Sequence, residues 1–219
     1  MTACIGGTDI QFQSSVKYLG VRIDQTLSMQ QQISSICRAC FLELRRIASV
    51  RPCLSESACA KLVAALIISR LDYCNSILIG LPDEDLSRLQ KVQNSAARLV
   101  SGKKKSDHIT PVLKELHWLP VKVRCQYKVA VLAYRHFDGS LPTYLSDSLT
   151  TYIPSRSLRS STEKLLRIPK CSMRSAGERA FSYQAPRVWN SLPAGLRDSP
   201  TLSQFKHGLK TFLFSEAFA

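Results

Sequence analysis

The chain has 219 residues, 45% of them hydrophobic and 21% charged, a composition that excludes a largely disordered protein and suffices for one sizeable core or two small ones. Its formal net charge of +14 predicts a polyanionic partner, either nucleic acid or an anionic membrane surface. No run of about 18 uncharged apolar residues occurs, and the basic residues are spread along the chain. We therefore expect nucleic acid as the partner and no membrane.

Eight cysteines bear on the cellular compartment and on metal binding. Cys37 and Cys40 have the inner spacing of a zinc half-site, but no second pair of Cys or His ligands completes a tetrahedral set. Because both positions also fit helical spacing, we interpret them as small buried side chains and predict free thiols. Residues 1–20 show no signal-peptide pattern, so we expect an intracellular protein, cytoplasmic or nuclear, that is not secreted.

Residues 1–27 predict a β-hairpin. Its strands run from Ile5 to Phe12 and from Val16 to Ile23, and a turn at Ser14–Ser15 joins them. An isolated two-stranded hairpin is only marginally stable in water, so we expect it to lie against the helices that follow.

Three amphipathic helices joined by short turns are predicted in residues 28–101, which favours an antiparallel bundle. They are Ser28–Val50 with Ser28 as its N-cap, Ser55–Ile79 with Ser55 as its N-cap, and a helix that begins at Pro82 and ends before Gly102. In the second helix, the stripe predicted to face the core includes Arg70, Leu71 and Cys74. In the third helix, the predicted buried residues are Leu86, Leu89, Val92, Gln93, Ala96, Ala97 and Val100.

Residues 102–219 predict a mixed, mostly helical extension that follows a break of small and basic residues. Helices are predicted at Val121–Phe137, Thr143–Leu149 and Phe205–Phe214. Serine and arginine predominate in residues 150–177, which indicates a basic loop with one short strand at Leu165–Ile168. The predicted fold class is mainly α, with a small β-hairpin at the N-terminus.

The strongest local basic feature follows one side of the third helix and continues past its end: Arg88, Lys91, Arg98, Lys103, Lys104 and Lys105. These residues form either a phosphate-binding track or a solvated helix end whose cations face the negative end of the dipole. In the basic loop, Arg156 and Arg159 belong either to an RNA-binding arm or to a connector over the helices. Four aromatic residues are interpreted as core anchors rather than stacking platforms: Trp118, Tyr127, Tyr134 and Trp189.

No hydrolase motif, phosphate loop or dinucleotide-binding motif occurs, and the four histidines are scattered. The acidic cluster Asp83–Asp85 occupies consecutive helical positions whose side chains point apart, whereas paired catalytic ions need converging ligands. We interpret it as a first helical turn that complements the helix dipole. The sequence therefore predicts no catalytic residue, no metal ligand and no cofactor.

Several motifs follow one another in a distinctive order: Val16-Lys17-Tyr18-Leu19-Gly20-Val21, Ser69-Arg70-Leu71-Asp72-Tyr73-Cys74-Asn75-Ser76, Gly80-Leu81-Pro82, Leu116-His117-Trp118-Leu119-Pro120-Val121 and Trp189-Asn190-Ser191-Leu192-Pro193. In order and spacing they resemble the C-terminal third of LINE-type reverse transcriptases, from jockey-like non-LTR retrotransposons. The resemblance runs from about Ile10 to the end of the chain.

The resemblance implies a role for each part of the chain. Tyr18, Leu19, Gly20 and Val21 match the primer grip, where glycine permits close approach of the backbone to a primer strand. Residues 28–101 match the thumb, and residues 102–219 match the C-terminal extension of the family.

The same resemblance bears on catalysis. The palm aspartates that hold Mg²⁺ in the family, and the fingers, would lie upstream of residue 1. We therefore expect no polymerisation by this chain alone, and a retained role in binding template–primer or element RNA. Two alternatives are a thumb subunit that acts with a palm on a separate chain and a transposon-derived remnant without function.

Overall fold

The computed structural model of the protein describes residues 2–11, 13–154, 164–171 and 176–219. Within these residues the strands are β1 Thr2–Ile5, β2 Thr8–Gln11, β3 Ser15–Tyr18 and β4 Val21–Asp24. The α-helices are α1 Gln30–Val50, α2 Glu56–Val63, α3 Ser69–Asp72, α4 Asp83–Ser101, α5 Thr110–Glu115, α6 Val121–Phe137, α7 Thr143–Ser146, α8 Phe181–Asn190, α9 Ala194–Arg197 and α10 Leu202–Phe218. The predicted fold class, mainly α with a small N-terminal β-structure, is confirmed.

The N-terminal strands form two hairpins instead of the single predicted one. β1 pairs with β2 across Gly6–Gly7, and β3 pairs with β4 across Leu19–Gly20. Both turns contain two residues with positive φ, including 79° at Gly7 and 83° at Gly20, as two-residue hairpin turns require. The prediction of one continuous strand over Val16–Ile23, preceded by a turn at Ser14–Ser15, was wrong because the glycines reverse the chain within each predicted strand.

The observed N-cap of α1 is Met29, one residue after the predicted Ser28, whose Oγ still accepts a hydrogen bond from Gln30 N (3.3 Å). Asp24, at the end of β4, holds the backbone that enters the helix. Its Oδ1 accepts hydrogen bonds from Thr26 Oγ1 (2.7 Å) and Ser28 N (2.8 Å), and its Oδ2 accepts from Ser28 Oγ (3.1 Å) and Met29 N (2.9 Å). Met29 occupies the N-cap position with a φ of 61° and no side-chain cap. Desolvation opposes ionisation of Asp24, but these hydrogen bonds outweigh it and lower the pKa of its carboxyl from 3.8 to about 2.

The first three long segments form the predicted bundle, in which α1 and α4 run parallel and the chain between them runs back. At one end, Arg88 Nη2 of α4 donates to Ser34 Oγ of α1 (2.8 Å). At the other end, Arg51 donates to the carbonyls of Leu99 (2.9 Å) and Val100 (3.0 Å). All seven residues predicted to be buried on α4 are buried, so its helical periodicity identified the core face correctly.

The predicted helix Ser55–Ile79 is interrupted. Its N-cap is confirmed, because Ser55 Oγ accepts a hydrogen bond from Ala58 N (3.2 Å). A π-helical segment at Ala64–Ile68 separates α2 from α3, and a 3₁₀ turn at Asn75–Leu78 follows. A π turn holds more residues than an α turn and shifts the helical register after it. Leu71 is buried, but the prediction that Arg70 and Cys74 face the core was wrong, because both are exposed.

The second layer is built on α6, whose bounds agree with the prediction. It packs against α8 and α10 through an aromatic cluster. The ring of Trp189 stacks on Phe137 at 5.0 Å, and the ring of Tyr134 stacks on Phe205 at 4.5 Å. Trp189 and Tyr134 are buried, which confirms them as core anchors. Buried side chains from both sides of residue 102 belong to one apolar cluster, so the two layers share a core.

The C-terminal part departs from the prediction in the extent of three elements. α7 ends at Ser146, and α10 extends to Phe218. The strand predicted at Leu165–Ile168 is reduced to a single antiparallel bridge between Thr151 and Leu166. The side chain of Asn190 replaces the missing strand partner, because it accepts from Leu166 N (3.0 Å) and donates to Leu166 O (2.8 Å).

Replacing Asp24 by Ala is expected to lower the free energy of unfolding by about 1 kcal/mol near neutral pH, the usual effect of removing a side chain whose hydrogen bonds fix the start of a helix. Because folding lowers the pKa of Asp24, its contribution is present above the ordinary carboxyl pKa near 3.8 and is lost as the pH falls towards about 2. Urea unfolding followed by circular dichroism should therefore show a difference in the free energy of unfolding between variant and parent, and this difference should become smaller as the pH is lowered. Asp9→Ala, which removes an exposed carboxylate from β2, is the control. An equal loss in that control would contradict this role of Asp24.

Candidate nucleic-acid interface

The turn between β3 and β4 is held by Tyr73, which follows α3. Its hydroxyl donates to the carbonyl of Leu19 (2.7 Å), and its ring lies 3.7 Å from the position that a Cβ on Gly20 would take. Val21 is buried, whereas Tyr18 is 64% and Leu19 74% exposed. The four residues that match a primer grip thus form a turn fixed on one side, with two large apolar side chains open to solvent.

The segment that contains Tyr73 also joins the bundle to α6. The carboxylate of Asp72 accepts hydrogen bonds from Arg124 Nη1 at 2.6 and 2.8 Å. Arg124 Nε donates to the carbonyl of Leu119 (3.0 Å), which also accepts from Gln93 Nε2 (2.9 Å). Consecutive residues of one predicted motif therefore connect the hairpin, the bundle and the second layer.

The basic face comprises exposed or partly exposed cations of the parallel helices α1 and α4 and of the loop after α4. On α1, Ser34, Arg38 and Arg45 recur at helical spacing on one side, and Arg88 of α4 contacts Ser34. The members of the basic face are Arg38, Arg45, Arg88, Lys91, Lys103, Lys104 and Lys105. Arg38 and Arg45 are additions to the predicted residues, and they are included because they share the side of α1 that carries Ser34, the contact of Arg88. The exposed ring of Phe41 lies between them on the same side of α1.

Two of the predicted binding residues on α4 also have structural contacts. Arg88 Nη1 lies 4.0 Å from Asp85 Oδ1, so part of its charge is balanced. Arg98 Nη2 donates to the carbonyl of Asp107 (3.3 Å) and thereby helps to close the loop after α4. The carboxylate of Asp107 in turn accepts from Lys104 N (2.8 Å). The backbone of the lysine loop is thus ordered, while the side chains of the three lysines are exposed.

The remaining residues and clusters considered in the sequence analysis do not belong to the basic face. Arg156 and Arg159 lie outside the described residues, so their assignment stays a prediction. In the acidic cluster, Asp83 pairs with Lys122 of α6 at 2.8 Å. Among the described residues, no three His, Cys, Asp or Glu side chains are grouped as metal ligands would be. Within the same residues, no helix is long and apolar enough to cross a membrane.

The cysteines that resembled a zinc half-site are part of α1 and face its packed side. Cys40 is buried, and burial raises the pKa of its thiol to about 11. Burial also raises the pKa of Cys37, although the nearby charge of Arg88 opposes the shift. Both are free thiols. Thiols with raised pKa values stay protonated near neutral pH, whereas metal binding and nucleophilic attack need the thiolate.

Comparisons of the chain with protein-family models, with curated proteins and with solved structures find no match in any of the three. The functional argument therefore depends on the contacts and charges of this chain.

Tyr73→Phe should loosen the β3–β4 turn, because it removes the hydroxyl that donates to Leu19 while keeping the ring. We expect faster hydrogen–deuterium exchange in residues 15–24, and a loss of about 0.5–1.5 kcal/mol in the protection of this hairpin. Tyr144→Phe, in which the hydroxyl is removed from an exposed ring on α7, is the matched control and should leave exchange in the hairpin unchanged. Exchange equal to that of the parent in Tyr73→Phe would show that this hydrogen bond does not hold the turn.

Proposed function

We propose that this chain is the C-terminal part of a LINE-type RNA-directed DNA polymerase and that it binds the phosphate backbone of template–primer or element RNA. The observation that carries the proposal is that exposed cations lie on two neighbouring parallel helices, α1 and α4, and on the loop after α4. Residues on α1 and on α4, about 50 positions apart in sequence, add their charges to one surface.

The dimensions of the basic face suit a polyanionic strand. From Arg88 to Ser101, the last residue of α4, the helix rises about 20 Å at 1.5 Å per residue, a length that corresponds to about six phosphates of one strand. Lysine and arginine side chains along such a track release condensed counterions when they bind phosphate. The net charge of +14 adds long-range attraction.

The turn of β3 and β4 lies at the end of the bundle where α1 begins. Arg22 N, in β4, donates to Gln32 Oε1 in the first turn of α1 (2.8 Å), and Arg88 contacts the next turn at Ser34. Gly20 lines a cavity with Ile36 and Ala39 of α1 and with Tyr73, on a side of α1 other than the one that carries Ser34 and Arg38. A role for the turn in contacting a primer strand is therefore supported by the exposure of Tyr18 and Leu19 and not by continuity with the basic face.

The proposal assigns nucleotidyl transfer and its Mg²⁺ ions to a palm that this chain does not contribute. The residues of this chain bind and orient the nucleic acid. A second candidate, a thumb subunit that joins a palm on another chain, is favoured by the exposed apolar side chains of Val16, Tyr18 and Leu19. A palm packed against the hairpin would bury them, which is worth about 25 cal/mol for each Å² removed from water.

Changing Lys103, Lys104 and Lys105 together to Glu should weaken binding to a fluorescent RNA–DNA duplex. Each lost phosphate contact reduces the slope of log affinity against log salt by about 0.9, so the slope should fall by about 2.7. Fluorescence anisotropy over a range of salt concentrations measures both quantities.

The matched control for this variant changes Lys61, Lys114 and Arg187 to Glu, which alters net charge equally at exposed positions away from the basic face and from the basic loop. Equal weakening in the two variants would show that only net charge matters and would refute the assignment.

The purified chain alone should not extend an annealed primer with deoxynucleotides and Mg²⁺, because it contributes no palm. If it acts as a separate subunit, adding a polypeptide with the palm and fingers should give extension that Leu19→Asp reduces. Gel analysis of a labelled primer measures both. Extension by the chain alone would contradict the assignment of nucleotidyl transfer to a separate palm.

Aggregation and binding of an apolar dye, without nucleic-acid binding at low salt, would instead identify a transposon-derived remnant without function.

A further inference from the structure

A groove runs along α6, between the Asp72–Ser76 segment on one side and α10 on the other. It consists of two adjoining cavities of about 420 and 410 Å³. Asp72, Tyr127 and Lys128 line both cavities, so the two are continuous at these residues. We call this feature the α6 groove; none of the residues of the basic face lines it.

The lining of the α6 groove is strongly basic. Lys128 and Arg135 lie on α6, and Lys206 and Lys210 face them from α10. Among the described residues none of these four cations forms an ion pair within 4.0 Å. Asp72, the carboxylate in the lining, is bound by Arg124 at 2.6 Å. The groove therefore presents uncompensated positive charge to a ligand.

Two buried polar atoms of the groove lack partners. Asn75 is only 1% exposed and lines the groove, and its Nδ2 donates to Asp72 Oδ1 (3.3 Å). Its Oδ1 has no hydrogen-bond partner among the described residues, and neither has Nε of Arg135. Buried polar groups are nearly always paired, so each unpaired one needs an explanation. Their residues line the groove, but the two atoms themselves have almost no accessible surface, so the exposed cations are the contact points for a ligand.

Aromatic side chains accompany the cations. Tyr127 and Trp118 pack partly against the apolar core, as expected of core anchors, and each also contributes to the lining of the groove: Tyr127 where the two cavities meet, and Trp118 in one of them. From Arg124 to Arg135, α6 rises about 16 Å, which corresponds to about five phosphates of a stacked strand. Grooves that hold single strands combine a basic track for the backbone with rings on which bases stack.

We propose that the α6 groove binds single-stranded nucleic acid as a site separate from the basic face. Phosphate oxygens accept from Arg135 and from the lysines of α6 and α10. Bases stack on Tyr127 and Trp118. An acidic peptide would satisfy the cations, but it gives no role to the two rings, so a nucleic-acid strand is the better fit.

The first test changes Lys206 and Lys210 to Glu and measures binding of fluorescein-labelled 12-nucleotide oligo(U) and oligo(dT) by anisotropy. We expect binding about tenfold weaker and a salt slope reduced by about 1.4, which is two contacts at 0.7 each for a single strand. Lys61→Glu with Arg187→Glu gives the same change in net charge at exposed positions outside the groove and outside the basic loop, and should change affinity less than twofold. Circular dichroism checks that each variant is folded. Equal weakening in the two variants overturns the proposal.

The variant with glutamate at positions 103, 104 and 105 separates this site from the proposed function. It should keep the affinity of the groove for oligo(U) within threefold, whether or not duplex binding is lost. A loss of oligo(U) binding as large as that of the groove variant would mean that single strands use the basic face and would overturn the separate site.

A second test does not depend on charge reversal. Irradiation of a bound 5-iodouridine oligonucleotide should cross-link to peptides that contain Tyr127 or Trp118, as identified by mass spectrometry. Tyr127→Leu, which keeps an apolar side chain but removes the ring, should weaken oligo(U) binding about tenfold. Cross-links confined to peptides outside the groove would contradict the proposal. Displacement by oligoglutamate as effective as by unlabelled oligo(U) would assign the groove to an acidic peptide and overturn it.

Discussion

Arg124 and Asp72 form the contact on which the arrangement of both layers depends. The two side chains are partly exposed, so the direct energy of the pair is modest. Its importance lies in position, because the next residue, Tyr73, holds the hairpin turn and Asn75 reaches the α6 groove. The β3–β4 turn and the α6 groove therefore both contact the same short segment. A shift of α6 against α3 would move the groove and the turn together.

Carboxylates and lysine amines have different roles in this structure. Several of the carboxylates are used within the fold: Asp24 holds the entry to α1, Asp72 binds Arg124, Asp83 pairs with Lys122, and Asp107 closes the lysine loop. Lysines on α4, α10 and the connecting loop are exposed instead. These carboxylates still carry negative charge, but aspartate and glutamate together number 16 against 30 lysines and arginines, so the acidic side chains cannot pair with every basic one and the formal net charge is +14.

The motifs that carry the resemblance lie where elements distant in sequence contact each other. Trp189 Nε1 donates to the carbonyl of Lys164 (2.6 Å), and Asn190 pairs with the backbone of Leu166. The carbonyl of Leu119 accepts from both Gln93 and Arg124. In another motif, Asp72 binds Arg124 of α6 and Tyr73 binds the carbonyl of Leu19. These residue types are needed where elements distant in sequence meet, so their spacing reflects the fold and not only a binding function.

The sequence by itself determined what local periodicity dictates. The apolar stripe of α4 and the bounds of α6 follow from 3.6 residues per turn, and Ser55 caps α2 through a local hydrogen bond. Tertiary structure decided what depends on φ angles and distant partners: the reversal at Gly20, the π turn before α3, and the hydrogen bonds of Asp24 at the entry to α1. It also brought Ser34 to Arg88 of α4 and Lys206 beside Arg135, because such contacts form only between elements far apart in the chain.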